Sequence, residues 1–333
     1  MLWFVILLLL TGCSKENPSS PAVFTGVAMT IPYKVQIGEA LTRSQRNEVE
    51  KIIATLFSDV NETFNRFNPD SELSRINRLP SGKKQRLSEP LWDLLQRTDQ
   101  MVVLTEGRFD PTVLALYLYW EKKLTGKTPI EDLEEVQGAT GWHLVHLDDH
   151  FFWKENSDTQ IDLGGIAKGH AIDLLAERLR ARGYENFFID WGGEIFASGK
   201  HPENRDWMIA ILHPAMQEEI DILPLKGEAV ATSGDYLQYW KDSEGRLFFH
   251  IVNPQTGTLM EATSGSITSA TVVAPTCLEA DALATASMLF TDMDQAKAWA
   301  TRVQEHSPEI TLYWLQRDFQ SSSSESSLVP TKL

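Results

Sequence analysis

Two cysteines in 333 residues, Cys13 and Cys277, leave almost no room for disulfide chemistry. Positive charge is scarce as well: 30 Lys and Arg against 46 Asp and Glu give a net charge of −16. A chain that neutralises nucleic-acid phosphates needs clustered basic side chains, so no nucleic acid is expected as a partner. The same balance gives no general attraction to an anionic lipid surface. Long apolar runs are missing too. The run over residues 1–10 falls far short of the ~20 residues needed to span a bilayer.

That short run ends at Leu10-Thr-Gly-Cys13, where small residues precede a cysteine. This is the pattern of a bacterial lipoprotein signal, cleaved before the cysteine that then carries the lipid. The expectation is therefore a signal over 1–12, a lipid on Cys13 as the membrane link, and a Ser-, Pro- and Asn-rich tether over 13–24. With Cys13 acylated, Cys277 has no partner, and packing must stabilise the body in an oxidising compartment. At 42% apolar residues the chain can bury a large core. No linker or internal repeat divides residues 25–318, and the Ser-rich segment over 319–333 reads as a disordered tail.

Periodicity predicts helices over 44–66, from Ser88 to Gly107, and over 167–182. It predicts strands over 187–190, 207–212, 247–252, 268–274 and 310–315. The fold class is α+β, with twisted mixed sheets flanked by helices.

Two segments carry most of the chemistry. Asp162-Leu-Gly-Gly-Ile-Ala-Lys-Gly169 opens a helix, so its backbone N–H groups can face a phosphate. Ala280-Asp281-Ala-Leu-Ala-Thr285-Ala sets a carboxylate and a hydroxyl at i and i+4 on one helical face. An acid on an otherwise apolar helix must be paired, hydrogen-bonded or bound to a cation. Oxygen ligands suit Mg²⁺, which shares phosphate oxygens and keeps waters. The plainer alternative for Asp281 is a helix N-cap.

Other segments place polar groups at turns. Asn68-Pro69-Asp70 leaves the first long helix and is followed by Ser71 and Glu72 at a short helical start. Gly107-Arg-Phe-Asp110-Pro-Thr112 puts Asp110 in extended geometry before a proline. Ala231-Thr-Ser233-Gly-Asp235-Tyr236 reads as a hydroxyl-rich turn, suited to a ribityl or ribose chain or simply to capping. His250-Ile-Val-Asn253-Pro-Gln-Thr256-Gly257 sets a histidine at a strand end before a turn, as a catalytic group or as a structural one.

In this order, together with Asp70-Ser-Glu-Leu-Ser-Arg-Ile-Asn77 and Gly192-Gly-Glu194, these segments resemble the ApbE family of FAD:protein FMN transferases, from about residue 29 to residue 290. The resemblance implies an ApbE-like fold with a single compact two-lobed catalytic domain. It implies Mg²⁺-dependent transfer of FMN from FAD to a Ser or Thr hydroxyl, with release of AMP. The implied acceptors are flavoprotein subunits of Na⁺-pumping NADH:quinone reductase (Nqr) and Rnf-type complexes. The implied metal ligands are Asp281, Thr285 and the backbone carbonyl of Ala167. FAD contacts would fall on Met29, Phe67, Arg108, Phe109, Asp110, Gly164, His170 and Ile251, with Thr232, Ser233 and Gly234 nearby.

Three positions depart from the family pattern: Phe67 stands where a Tyr is common, Asn253 and Glu194 where Asp is usual. His250 is the expected base for the acceptor hydroxyl, since an imidazole titrates near neutrality. Family precedent places the chain on the periplasmic side of the inner membrane, the outer membrane being the alternative. The competing functions are an FAD pyrophosphatase, giving FMN and AMP, and a non-enzymatic flavin-binding lipoprotein. No pyrimidine- or thiazole-handling chemistry supports a role in thiamine biosynthesis.

Overall fold

The computed structural model describes residues 21–127, 132–213, 219–235, 239–319 and 326–333. The expected signal and Cys13 lie outside them. The chain opens with β1 (Ala22–Ala28), β2 (Ile31–Ile37), α1 (Arg43–Thr63), α2 (Glu72–Asn77), β3 (Gln85–Arg86), α3 (Glu89–Leu104), α4 (Leu114–Leu124), α5 (Leu133–Gly138), β4 (Val145–Asp148) and β5 (Phe151–Lys154). It continues through α6 (Ala167–Arg180), β6 (Phe187–Trp191), β7 (Glu194–Ser198), β8 (Trp207–Leu212), β9 (Glu219–Leu225), β10 (Ala229–Gly234), β11 (Tyr239–Lys241), β12 (Leu247–Asn253) and β13 (Thr258–Glu261). The last elements are β14 (Ile267–Ala274), α7 (Cys277–Ser287), α8 (Met293–His306), β15 (Thr311–Phe319) and β16 (Ser326–Lys332).

Local signals set the helix limits. Thr42 caps α1 through a capping box with Gln45, and Val49, Ile53, Leu56 and Val60 are buried on one face. Ser88 caps α3 with Pro90 in the first turn. Gly183, at φ 84°, follows the end of α6.

An eight-stranded sheet, ordered β1-β2-β6-β7-β10-β14-β15-β16, organises the molecule. Every named pairing in it is antiparallel. All of β14 is buried, because both faces of the sheet are covered there. Helices α6 and α7 cover one face, where Ala229, Ala231, Val272 and Ala274 join the main core. On the other face Val230 and Val273 pack against Trp207, Ile211, Leu223 and Leu225 of the β8–β9 ribbon. A separate three-stranded sheet, β11-β12-β13, shares a smaller core with α4 and α5.

Two expectations at the ends are corrected. The tether does not reach residue 24, because β1 begins at Ala22 and pairs with β2. The tail is not disordered throughout, because residues 326–332 form β16 along β15. Without that strand β15 would be a long edge with unpaired backbone groups, and pairing outweighs the low-complexity composition before it.

One glycine fixes the contact that builds the site. A Cβ on Gly169 would stand 2.2 Å from the Cys277 carbonyl oxygen, so α6 and α7 touch backbone to backbone there. Gly169→Ala is expected to force the helices apart at a cost of about 1–3 kcal/mol. Denaturant unfolding would register it as a lower midpoint, and an unchanged midpoint would contradict the close approach.

Candidate active site

Helix α7 is buried along most of its surface, with only Glu279 and Thr285 half-buried, because it lies between α6 and the sheet. Its small residues Ala280, Ala282, Ala284 and Ala286 make that approach possible. Thr276, not Asp281, is the N-cap. Asp281 sits mid-helix, 3% exposed, and its Oδ2 accepts a hydrogen bond from the Gly169 N–H at 3.1 Å. A second clasp lies one turn further along α6, where the Asp173 carboxylate accepts the Cys277 and Leu278 N–H groups at 2.8 and 2.9 Å. Together they hold α7 in register with the start of α6.

The glycine-rich turn meets α7 at Gly165. A Cβ there would lie 2.7 Å from Thr285 Oγ1 and 3.3 Å from Phe109 Cε2. Ser233 Oγ stands 3.4 Å from Thr285 Oγ1. Thus Gly165, Thr285, Ser233 and Phe109, from four separate motifs, converge beside Asp281. Ala167, named above as the carbonyl ligand, is the first residue of α6, while Gly165 is the turn residue against Thr285. Gly164 N–H is turned back onto Asp162 Oδ1 at 2.9 Å.

Ser233 reaches Thr285 from a strand, not from the turn expected over 231–236. Thr232, Ser233 and Gly234 end β10, paired with Thr271, Ala270 and Ser269 of β14. Their hydroxyl and glycine content imitates a loop, but Thr232 Oγ1 and Thr271 Oγ1 are 2.8 Å apart across the ladder. Below them Asp235 is held by Thr268 Oγ1 at 2.6 Å and Arg317 at 2.9 Å. Tyr236 lies outside the described residues.

Charge in the site comes from residues that spacing alone did not single out as partners. Lys168 forms an ion pair with Glu194, which is 3% exposed at its side chain. Burial works to lower the Lys168 ammonium pKa, but Asp281 and Glu194 outweigh it and the net shift is upward. Burial raises both carboxyls, Asp281 and Glu194, against the opposing pull of Lys168. The Glu194 Oε2 atom is buried without a hydrogen-bond partner.

The flavin contacts expected from the resemblance separate into groups. Met29, at φ 48° in the β1–β2 turn, packs on the main core at the same sheet end as Glu194 and Gly234. Phe67 is 76% exposed, and the Arg66 guanidinium lies 4.0 Å from its ring centre. Arg66 also bonds Asp162 at 2.9 Å, which ties this aromatic platform to the glycine-rich turn. Arg108 bonds Glu106 at 3.0 Å and covers Phe290 at 4.7 Å. The Asp110 carboxylate accepts Thr112 N–H, Thr112 Oγ1–H and Trp142 N–H at 2.8, 2.6 and 2.9 Å, so it organises its loop.

His170 is not brought to this site. It is 2% exposed, packs edge-on to Phe64, and lines a cavity with Asp93 and Arg97 between α1, α3 and α6. Burial lowers its pKa to about 4. Gly169 and His170 are neighbours on α6, so when one faces α7 the other is turned about 100° away.

His250 lies within β12, three residues before its end, and the β12–β13 register shifts between Phe248 and Val252. Ile251 packs on the main core and Val252 on the α4–α5 core. Phe249 lies under Arg317 at 5.1 Å, which couples β12 to Asp235 at the end of β10.

Among the described residues no three His, Cys, Asp or Glu side chains are grouped to hold a metal. The donors on α7 are instead one carboxylate, Asp281, and one hydroxyl, Thr285, to which the resemblance adds the Ala167 carbonyl at the start of α6. That set suits Mg²⁺ completed by phosphate oxygens and water.

Asp173 gives the clasp a pH signature. Burial pushes its carboxyl up to about 7, against the two N–H groups of α7. An acid raised on folding stabilises fully only below its unfolded pKa, about 3.9, and loses that contribution as pH rises toward the folded value. Stability is expected to decline from pH about 4 to pH about 7, and Asp173→Asn to flatten that window in denaturant titrations. A variant profile parallel to the wild type would refute the assignment.

A carboxylate and a hydroxyl on a buried helix, set against a glycine turn at a helix start, make a site of the kind that takes a phosphorylated substrate. The chain belongs to the ApbE family, whose sequence profile it matches over residues 29–311. It is 38% identical over 302 residues to the FAD:protein FMN transferase of Chlamydia muridarum, covering 90% of this chain and 92% of that one. It is 28% identical over 337 residues to the FAD:protein FMN transferase of Vibrio cholerae, covering 97% of each. The apo flavinyl transferase ApbE of Pseudomonas stutzeri superposes with a TM-score of 0.80 at 26% identity, covering 94% of both chains. The flavin transferase ApbE of Vibrio cholerae gives 0.74 at 26% identity, covering 94% of this chain and 97% of that one.

Proposed function

We propose that the chain is an Mg²⁺-dependent FAD:protein FMN transferase. In this reading FMN moves from FAD to a Ser or Thr hydroxyl of an acceptor flavoprotein, forming a phosphoester and releasing AMP. The observation that carries it is the convergence of Gly165, Ser233 and Thr285 beside Asp281, with Lys168 and Glu194 adjoining. The acceptors are flavoprotein subunits of Nqr- or Rnf-type complexes. The enzyme acts from the periplasmic face of the inner membrane, tethered through Cys13.

The residues divide the work as follows. Phe67, exposed and backed by Arg66, offers a stacking surface for an aromatic ring system. The start of α6 and the Lys168 ammonium attract the diphosphate. Asp281, Thr285 and the backbone carbonyl of Ala167 would hold Mg²⁺, which would neutralise charge developing on the departing AMP. His250 takes the proton of the acceptor hydroxyl as its oxygen attacks the phosphorus on the FMN side, in line with the AMP oxygen that leaves.

Co-expression with a candidate acceptor subunit tests the reading by mass spectrometry. FMN bound through phosphate to a Thr or Ser of the acceptor supports transfer. Free FMN and AMP with an unmodified acceptor would instead establish a pyrophosphatase, and intact FAD after incubation with Mg²⁺ a flavin-binding protein.

A further inference from the structure

The β8–β9 ribbon has two unlike faces. Its inner face packs on the large sheet through Trp207, Ile211, Leu223 and Leu225. On its outer face the register sets Met208 opposite Pro224, Ala210 opposite Ile222, and Leu212 opposite Glu219, the one acid at the end of an otherwise apolar row. All of these outer residues are exposed, Met208 to 45%, Leu212 to 42% and Ile222 to 48%. An adjoining strip of apolar side chains on a strongly acidic protein marks contact with another apolar body.

The sheet register relates this strip to the start of the described chain. Ala22 pairs with Ile37, Ile37 with Phe187, and Phe187 with Ser198. The Trp207 indole then donates to the Ser198 carbonyl at 3.0 Å. Ala22, where the described chain enters the sheet, and Ser198, which the first residue of the ribbon touches, therefore share one end, about 15 Å apart at ~4.8 Å per strand. The stretch 14–20 between Cys13 and Pro21 reaches at most about 30 Å when fully extended. Glu194 and Gly234 lie toward the opposite end of the sheet, about 13 Å and about 23 Å along the strands from Ser198 at ~3.3 Å per residue.

We infer that the outer face of the β8–β9 ribbon rests on the lipid bilayer to which Cys13 tethers the chain. This rests on the lipoprotein reading of the N-terminus. A short tether keeps the ribbon end close to the membrane, and the strip then buries its apolar side chains among lipid. A second copy of the chain fits less well, since stable interfaces use roughly 20–30 residues a side and polar groups to fix a register. Lipid needs neither. Seated in this way, the ribbon holds the catalytic end of the sheet at a fixed height beside the membrane, where a membrane-bound acceptor subunit can reach it.

Full-length lipidated protein carrying Ala210→Cys or Ile222→Cys tests this, with an environment-sensitive fluorophore on the new thiol. Cys277 is buried and does not compete for the label. In vesicles of phosphatidylethanolamine and phosphatidylglycerol, both probes are expected to shift to the blue and to be quenched by nitroxide-labelled acyl chains. A probe at Val103→Cys, on the exposed side of α3, should stay in water. Intact-mass analysis reads the lipid on Cys13 separately. If that mass is missing, the tether reading fails and takes the inference with it. If the lipid is present and the ribbon probes remain in water, the inference alone is overturned. A blue shift that appears without vesicles and grows with protein concentration also overturns it, assigning the strip to a second copy.

Discussion

Asp281→Ala is expected to lose Mg²⁺-dependent FMN transfer by roughly 10³-fold while remaining folded. A bound cation supplies several kcal/mol of charge stabilisation, and about 1.4 kcal/mol corresponds to a tenfold change in rate. Asp281 is the one carboxylate on the face of α7 that meets the start of α6, so no neighbour on that helix replaces it. Two effects on folding oppose each other. The Gly169 N–H loses its acceptor, at about 1–3 kcal/mol, while a costly buried carboxylate is removed. Asp281→Asn separates charge from shape, because it can keep an oxygen for Gly169 but brings no negative charge. Acceptor flavinylation measured across an Mg²⁺ series, with circular dichroism on the same samples, checks both variants. Full transfer by Asp281→Ala without added metal would remove Asp281 from the mechanism.

His250→Ala is expected to slow transfer by roughly 10²–10⁴-fold, the usual weight of general acid–base catalysis, and to leave FAD affinity nearly unchanged. Ile251, the expected flavin contact, packs on the main core, and as its neighbour on β12 His250 points to the other side of the strand. Flavin fluorescence titration reads the affinity, and single-turnover transfer reads the chemical step. A collapse of binding with an unchanged rate at saturating FAD would make His250 a ligand-positioning residue.

The legible parts of the sequence are those whose burial is one-sided. Helix α1 repeats Val49, Ile53, Leu56 and Val60 at helical spacing, and it forms over 43–63 where 44–66 was expected. The strand over 207–212 appears with those limits because its inner and outer faces alternate. Helix α7 has no amphipathic period to read, being buried at all but Glu279 and Thr285. Its acid and hydroxyl are the local signal instead, and Asp281 does serve the packing, as the acceptor of the Gly169 N–H.

What stayed hidden depends on neighbours far away in the chain. Thr232 and Ser233 look like loop residues until β14 pairs with them. The Lys168–Glu194 pair joins α6 to β7, and nothing local in either segment announces it. Arg66 stands next to Phe67 in sequence, yet its partner Asp162 lies at the far side of four helices in chain order. His170 shows the converse: one residue from the α6–α7 contact in sequence, it is turned into a different cavity. Rotation about a helix axis, not distance along the chain, decides which of two adjacent residues reaches a ligand.

The closing strand bears on how the molecule should be handled. β16 runs the length of β15 from Phe319 to Tyr313, and Leu333 N–H still donates to the Leu312 carbonyl at 3.0 Å. A version trimmed at the serine-rich segment, a natural economy for crystallisation, would bare the whole outer rim of β15. Such a rim invites other chains to stack upon it, so an affinity handle is better extended beyond the last leucine than exchanged for the residues before it.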